Sequence, residues 1–233
     1  VLKNIDFSCH KGQKIAVIGS TGSGKSTLVK LMNRFYDVSR GSIEINGVDI
    51  RKYNLESLRT QIGYVAQKAH MFKGSIQSNI CFGKPEASVE EMVHAATVAQ
   101  ASDFISTREH GYEDEIAEDG TNISGGQKQR LSIARVILKK PSLYIYDDSF
   151  SALDFKTDAT LRKALKPEVK NAIFFVVAQR ISTIMDSDMI IVLDEGQIIG
   201  MGTHAQLLKD CSVYQEIAHS QLTQKELDDY ERN

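Results

Sequence analysis

The chain has 233 residues, a nearly balanced charge and few cysteines, and these properties exclude several classes of protein. Its 28 lysines and arginines and 30 aspartates and glutamates give a formal net charge of −2, which argues against nucleic acid as the main partner. The three cysteines have no metal-binding spacing and predict free thiols in an intracellular protein. No apolar run approaches the roughly 20 residues that span a bilayer. Because the sequence starts at Val1 without a methionine, we expect a soluble piece of a longer protein.

The first third of the chain predicts strands separated by turns and helices. The predicted strands of this part lie at 2–7, 14–18, 41–45 and 62–65. The second strand should lead through a glycine-rich turn into a helix that ends near Asn33, since apolar residues recur there at helical spacing. Asn46-Gly47 predicts a hairpin turn, and a short helix is expected around 55–58.

The glycine-rich turn carries the sequence GSTGSGKS at 19–26, which fits the P-loop pattern G-x-x-x-x-G-K-[ST]. Backbone N–H groups and the helix N-terminus present partial positive charge to phosphates there, and Lys25 adds a full charge. The Ser26 hydroxyl can ligate Mg²⁺. A turn without a ligand is the weaker alternative, because eight positions match between a predicted strand and helix. The predicted phosphate-binding residues are Gly19, Ser20, Thr21, Gly22, Ser23, Gly24, Lys25, Ser26 and Thr27.

The pattern changes to mainly helical spacing over 68–140 and then returns to strands. Apolar runs predict these later strands at 143–146, 173–177 and 189–193. A helix around 159–165 lies between two of them, and a polar helical tail follows Ser212, with fraying expected at 228–232. Alternating strands and helices with short links predict a mainly parallel α/β sheet, with 68–140 as an inserted helical subdomain.

The apolar strand at 143–146 ends in a carboxylate, Asp147. On a P-loop protein this is the Walker B arrangement, in which the aspartate holds Mg²⁺, often through water. An ordinary acid at a strand end is the alternative interpretation.

Three further motifs, together with the P-loop, resemble the nucleotide-binding domain of ATP-binding cassette (ABC) transporters over essentially the whole chain. They are Ser124-Gly125-Gly126-Gln127 as the signature motif, Gln67 as the Q-loop glutamine, and Ser151-Ala152-Leu153-Asp154 as the D-loop. The resemblance implies a P-loop NTPase (RecA-like) fold with a mainly parallel sheet, an antiparallel β portion and an inserted α-helical subdomain. It places one domain over 1–233, with the α/β core at 1–67 and 141–233 and the helical subdomain at 68–140.

The resemblance also implies ATP and Mg²⁺ as ligands, bound in a head-to-tail dimer. The signature Ser124, Gly125, Gly126 and Gln127 would cover the nucleotide of a second nucleotide-binding domain, while Ser26, Gln67 and Asp147 would hold the metal. For Ser-Gly-Gly alone, a plain helix N-cap is the simpler interpretation.

The segments at 71–76 and 118–120 resemble the exporter branch of the family, although the latter could be only a solvated acidic loop. A transmembrane domain, carried by the same chain or by a separate subunit, is then the expected partner, at the cytoplasmic face of a membrane. The adenine-stacking aromatic residue of the family is expected before Val1, because Phe7 lies too close to the P-loop.

Two positions depart from the family pattern. Asp148 stands where a catalytic glutamate is expected, and Gln179 stands where the switch histidine is expected. Aspartate is one methylene shorter, and a misplacement of about 1 Å can cost on the order of a hundredfold in rate. Glutamine can donate a hydrogen bond to phosphate but carries no charge. With Gln67, these are the predicted catalytic residues.

The intact signature beside these two departures predicts one half of a heterodimeric exporter. Its own site would bind Mg-ATP and cleave it poorly, while its signature completes a competent site on a different subunit. The alternatives are a homodimeric exporter domain with ordinary turnover, a stand-alone soluble ABC ATPase, and a module that binds ATP as a structural ligand without turnover.

Overall fold

The computed structural model describes residues 1–222 and forms two compact units. The first unit contains residues 1–58 and those from 173 onward, and the second contains Arg59–Ala172. The predicted subdomain limits at 67/68 and 140/141 divide the chain differently and stay a prediction. The predicted domain includes 223–233 and the predicted frayed tail at 228–232, and both lie outside the described residues. Over residues 1–222, the structure contains no helix with the length and apolar character that crossing a membrane requires.

Strands and helices are interspersed along the chain, and some strands and some helices follow one another directly. Within the described residues the strands are β1 (Lys14–Ile18), β2 (Glu44–Ile45), β3 (Val48–Asp49), β4 (Ile62–Val65), β5 (Gly74–Ser75), β6 (Glu115–Ile116), β7 (Leu143–Asp147), β8 (Ile173–Val177), β9 (Met189–Asp194) and β10 (Gln197–Gly202). The α-helices of the same residues are α1 (Lys25–Met32), α2 (Leu55–Gln61), α3 (Ile76–Ile80), α4 (Val89–Val98), α5 (Ser102–Ser106), α6 (Gly125–Lys139), α7 (Phe155–Glu168), α8 (Ile181–Ile184), α9 (His204–Asp210) and α10 (Ser212–Gln221).

The sheet of the first unit combines three parallel strands with one antiparallel strand. Strand β1 pairs in parallel with β8 on one side and with β9 on the other. Strand β10 turns back and pairs antiparallel with β9. Ile15, Ala16 and Val17 are fully buried, which explains why β1 is a continuous apolar run without alternation.

The helices of the first unit begin in two different ways. Helix α1 follows Gly24, which has a left-handed φ of 107° and makes no side-chain cap. Helix α9 follows a Thr203 capping box, and α10 buries Tyr214 and Ala218 completely. No side chain therefore caps the N-terminus of α1, which directly follows the glycine-rich loop.

The second unit packs helices on a parallel strand pair. Strands β4 and β7 are parallel, with Tyr64 opposite Ile145. Helix α6 lies close to β4, since a Cβ at Gly63 would come within 2.5 Å of Val136 Cγ1. This helix ends at Lys139, followed by Lys140 in the left-handed region and then by Pro141.

Most predicted elements are confirmed, although the strand expected at 41–45 forms only over Glu44–Ile45, and one expectation was wrong. No strand forms at 2–7, because Asn4 adopts a left-handed φ of 51° that interrupts an extended run. The helix expected at 159–165 is longer, beginning after the Asp154 N-cap and continuing through Pro167 to Glu168. The fold is α/β, with a mostly parallel central sheet, antiparallel strands and helices, as expected.

Candidate functional site

The P-loop lies between β1 and α1 in the first unit, as the sequence predicts. Lys25 Nζ folds back over the loop and donates to Gly19 O at 2.8 Å and Ser20 O at 2.7 Å. Ser23 is buried, whereas Thr21 and the two positions beside it, 20 and 22, are exposed. The loop therefore encloses the ammonium group of Lys25 while its outer edge faces solvent.

The α1 N-terminus completes this loop. Ser26 is exposed and Thr27 is half-buried in the first turn of the helix, after the uncapped Gly24. The first N–H groups of a helix have no partners within the helix and carry its partial positive charge. This end of α1 and Lys25 together provide donors and positive charge for an anion of the size of a phosphate chain.

The turn between β9 and β10 packs against the P-loop and stabilises it. Gly196 N–H, in the turn between β9 and β10, donates to Ser23 O at 3.0 Å. A Cβ at Gly19 would lie 2.0 Å from Leu193 O, so only glycine fits against β9. No local signal predicts this contact, because about 170 residues separate the two segments.

Gln179 follows β8 in the same unit and is exposed. The preceding residue is tied to the P-loop strand, because Ala178 N–H donates to Val17 O at 3.2 Å. Parallel strands end at the same edge of a sheet, so Gln179 and the P-loop share the carboxyl edge of the β1–β8 pair.

Asp147 ends β7 in the second unit and is only 7% exposed. Tyr64, on the neighbouring strand β4, donates its hydroxyl hydrogen to Asp147 Oδ2 at 3.2 Å. Burial, together with the negative carboxylate and this hydrogen bond, raises the pKa of Tyr64 to about 12. No sequence motif marks Tyr64, because its contact with Asp147 depends on the pairing of β4 with β7.

Asp148 and Gln67 lie together in the second unit. Gln67 Nε2 donates to Asp148 Oδ2 at 3.0 Å, and Asp148 is only 7% exposed. The backbone of Asp148 has a left-handed φ of 49°, which is uncommon for a residue with a side chain. Two of the three predicted catalytic residues are thus in direct contact.

The signature motif begins helix α6 and forms a capping box. Gln127 N–H donates to Ser124 Oγ at 3.2 Å, and Ser124 N–H donates to Gln127 Oε1 at 2.9 Å. Ser124 and Gly125 are exposed, so the Ser124 hydroxyl hydrogen faces solvent beside the helix N-terminus. Gly126 faces the D-loop, since a Cβ there would lie 3.4 Å from Ala152 O. The N-cap interpretation describes the local structure, and an exposed helix N-terminus remains for an anion.

The described residues contain no group of three or more His, Cys, Asp or Glu side chains placed to hold a metal. Mg²⁺ often binds proteins through one or two carboxylates and completes its shell with phosphate oxygens and water. In the second unit, the Asp147 carboxylate and the Gln67 amide offer oxygen ligands of that kind, and in the first unit the Ser26 hydroxyl offers another.

The match to a protein family shows the class of protein to which this chain belongs. Residues 2–151 match the ABC transporter family model, so the chain belongs to that family, as an ATP-binding domain homologous to those of exporters. Domains of this kind are P-loop NTPases that generally bind ATP with Mg²⁺.

The chain is similar to parts of several longer ABC transporter proteins. The ATP-binding/permease protein YgaD of Bacillus subtilis is 44% identical over 217 residues, covering 93% of this chain and 37% of YgaD. Heavy metal tolerance factor 1 of Caenorhabditis elegans is 43% identical over 225 residues, covering 97% of this chain and 28% of that protein. The structure of a bacterial Atm1-family ABC exporter with ATP bound superposes with a TM-score of 0.87 at 38% identity, covering 90% of this chain and 37% of that one. The chain therefore spans less than two fifths of the length of these relatives.

Proposed function

We propose that this chain is the ATP-binding motor domain of a membrane exporter, at the cytoplasmic face of the membrane. The observation that carries the proposal is the P-loop, with Lys25 Nζ held over the loop by Gly19 O and Ser20 O. Phosphate oxygens can replace these carbonyl acceptors, because they are stronger acceptors for an ammonium group. The family and the exporter structure support the same function.

Mg²⁺ would be held by Asp147, Ser26 and Gln67, and would neutralise charge on the phosphates. Tyr64 donates a hydrogen bond to Asp147 Oδ2 at 3.2 Å, and this contact restricts the orientation of the Asp147 carboxylate. Such outer-shell partners commonly control how well a carboxylate binds its metal.

Hydrolysis at this site is proposed to be weak, because two side chains lack what the chemistry requires. Asp148 is short, and one of its oxygens already accepts a hydrogen bond from Gln67 at 3.0 Å. A general base must reach the attacking water within hydrogen-bond distance. Gln179 can donate to a phosphate oxygen but cannot supply positive charge. ATP would therefore remain bound longer than in a competent site.

The signature motif supports a function for a second subunit. Ser124 and Gly125 are exposed at the start of a 15-residue helix, where N–H groups can meet the terminal phosphate of a nucleotide on another nucleotide-binding domain. The proposal is therefore a head-to-tail heterodimer in which this chain clamps one ATP and completes the site that cleaves the other. A homodimer with ordinary turnover, or a stand-alone soluble ATPase, is the alternative.

Unequal sites can be tested in the full transporter reconstituted with its partner subunit. Lys25→Ala should leave most ATPase activity in place, whereas the same change in the P-loop of the partner should abolish it. Equal loss from both substitutions would contradict unequal sites and favour the homodimer-like alternative. ATP binding to each subunit, measured by photo-crosslinking, serves as the control that each substitution acts on its own site.

A further inference from the structure

A single side chain of the last described helix brackets the loop that carries Gln179. Gln221 Nε2 donates to Gln179 O at 2.8 Å, and Ile181 N–H donates to Gln221 Oε1 at 2.9 Å. One amide group thus pairs with the backbone on both sides of Arg180, as a neighbouring strand would.

The hydrogen bond from Ile181 N–H to Gln221 Oε1 caps the N-terminus of helix α8. Helix α8 begins at Ile181, and Arg180 at its N-cap makes no side-chain cap. Gln221 Oε1 provides the acceptor instead, although it lies 40 residues further along the chain. Ile181 is fully buried, so its N–H group would be costly to leave without a partner.

The loop is held from two sides as a result. On the sheet side Ala178 N–H donates to Val17 O at 3.2 Å, next to the P-loop. On the helix side Gln221 fixes the carbonyl of Gln179 itself. Because the Ala178 N–H and the Gln179 carbonyl are both hydrogen-bonded, the backbone of Gln179 is held and the direction of its side chain is restricted.

The helix that carries Gln221 is itself firmly packed. Tyr214 and Ala218 of α10 are fully buried, and the Tyr214 hydroxyl lies 2.7 Å from His204 Nδ1 of α9. A side chain at the end of a well-packed helix has a well-defined position, and it can therefore hold the loop that it contacts in place.

We propose that Gln221 is a positioning residue, which holds the Gln179 backbone so that the Gln179 amide meets the terminal phosphate of ATP. The inference rests on the proposed function, in which Gln179 contacts that phosphate. It adds a residue of the C-terminal helix to the nucleotide site, and it predicts that Gln221 affects recognition of ATP but not of ADP.

The test uses the 233-residue chain with two substitutions and a matched control. Gln221→Ala removes both hydrogen bonds. Gln221→Glu keeps an acceptor for Ile181 N–H but places an oxygen against Gln179 O, where two acceptors repel. The control is Gln215→Ala, on the same helix, whose Nε2 donates to Leu208 O at 2.7 Å, away from the loop.

Two measurements separate positioning from a merely structural role. Hydrogen exchange of the Ile181 amide should become about fivefold faster in Gln221→Ala, the size expected for one lost hydrogen bond. The ratio of ATP to ADP affinity, measured by calorimetry with Mg²⁺, should fall by a similar factor in both Gln221 variants and stay unchanged in Gln215→Ala. Gln179→Ala should lower the same ratio.

Each other outcome has a distinct meaning. If Gln179→Ala lowers the ratio and neither Gln221 variant does, the positioning role is wrong while the proposed role of Gln179 stands. If Gln179→Ala leaves the ratio unchanged, the proposed role of Gln179 fails, and the inference built on it fails with it. An equal effect of Gln215→Ala would show that helix stability, not the contact with the loop, is responsible.

Discussion

The clearest quantitative prediction concerns Asp148, where one methylene separates this chain from the family pattern. In the structure Asp148 is 7% exposed, and its Oδ2 lies 3.0 Å from Gln67 Nε2. Asp148→Glu advances the carboxylate by about 1.5 Å, the length of one carbon–carbon bond. Because the present contact is already at hydrogen-bond distance, the Gln67 amide must move or the longer carboxylate must extend past it.

The expected effect on rate follows from this displacement. A change of about 1 Å in the position of a catalytic group alters the rate on the order of a hundredfold, which corresponds to about 2.7 kcal/mol of barrier. Asp148→Glu combined with Gln179→His should therefore raise ATP turnover on the order of a hundredfold over the parent chain. Asp148→Asn, which keeps the shape and removes the base, should give no increase.

The assay is phosphate release at saturating Mg-ATP over a range of protein concentrations, since the proposed sites form between two copies or two subunits. ATP binding and self-association of each variant are measured alongside. A parent chain that already matches the double variant would refute the reasoning. So would a double variant that binds ATP and self-associates as the parent does but hydrolyses no faster.

Three other changes test separate parts of the account. Gly19→Ala should lower the free energy of unfolding by about 1–3 kcal/mol in a denaturant titration and weaken ATP binding, because its Cβ would lie 2.0 Å from Leu193 O; unchanged stability would contradict the close packing. Tyr64→Phe should raise the Mg²⁺ concentration needed for half-maximal ATP binding about tenfold, without changing metal-free binding, since it releases Asp147 Oδ2; an equal effect without metal would count against orientation. Burial lowers the pKa of His204 below 6.5, so protons bind preferentially to the unfolded chain and stability falls as pH drops below about 6.5. His204→Gln should flatten that fall, measured as the difference in unfolding free energy between about pH 7.5 and pH 5.5, and an unaltered slope would contradict it.

Local sequence patterns predicted the parts of the fold that depend on neighbouring residues. The apolar runs of β1, β7, β8 and β9 are buried parallel strands, and the P-loop lies where strand and helix meet. Asn46-Gly47 forms the expected hairpin turn with positive φ at both positions. These features follow from composition and spacing within a short window, which is why the sequence suffices.

Contacts between distant segments could not be predicted in the same way. Gln67 and Asp148 are 81 residues apart, and they meet only because β4 pairs with β7. Aspartate adopts the left-handed region more readily than most residues with a side chain, but this weak preference does not single out Asp148 among the aspartates of the chain. Gln221 reaches the Gln179 loop through tertiary packing of α10, for which spacing along the chain gives no indication.

At residues 2–7 the local sequence pattern predicted a strand that the structure does not contain. The apolar spacing there fits a strand, but Asn4 turns the backbone into the left-handed region. The segment instead makes a contact with the turn after β9, where Lys3 N–H donates to Gly196 O at 2.8 Å. Asparagine tolerates this conformation better than most residues, so its presence was a signal against an uninterrupted strand.

The most direct measurement of weak hydrolysis identifies the nucleotide that stays in the site of this chain. The chain is mixed with a small excess of Mg-ATP, separated from free nucleotide after increasing times, and the bound nucleotide is quantified by chromatography. ATP is expected to remain the bound species long after a competent site would have converted it. Stoichiometric ADP formed within the first turnovers, with Asp148 and Gln179 unchanged, would contradict weak hydrolysis at this site.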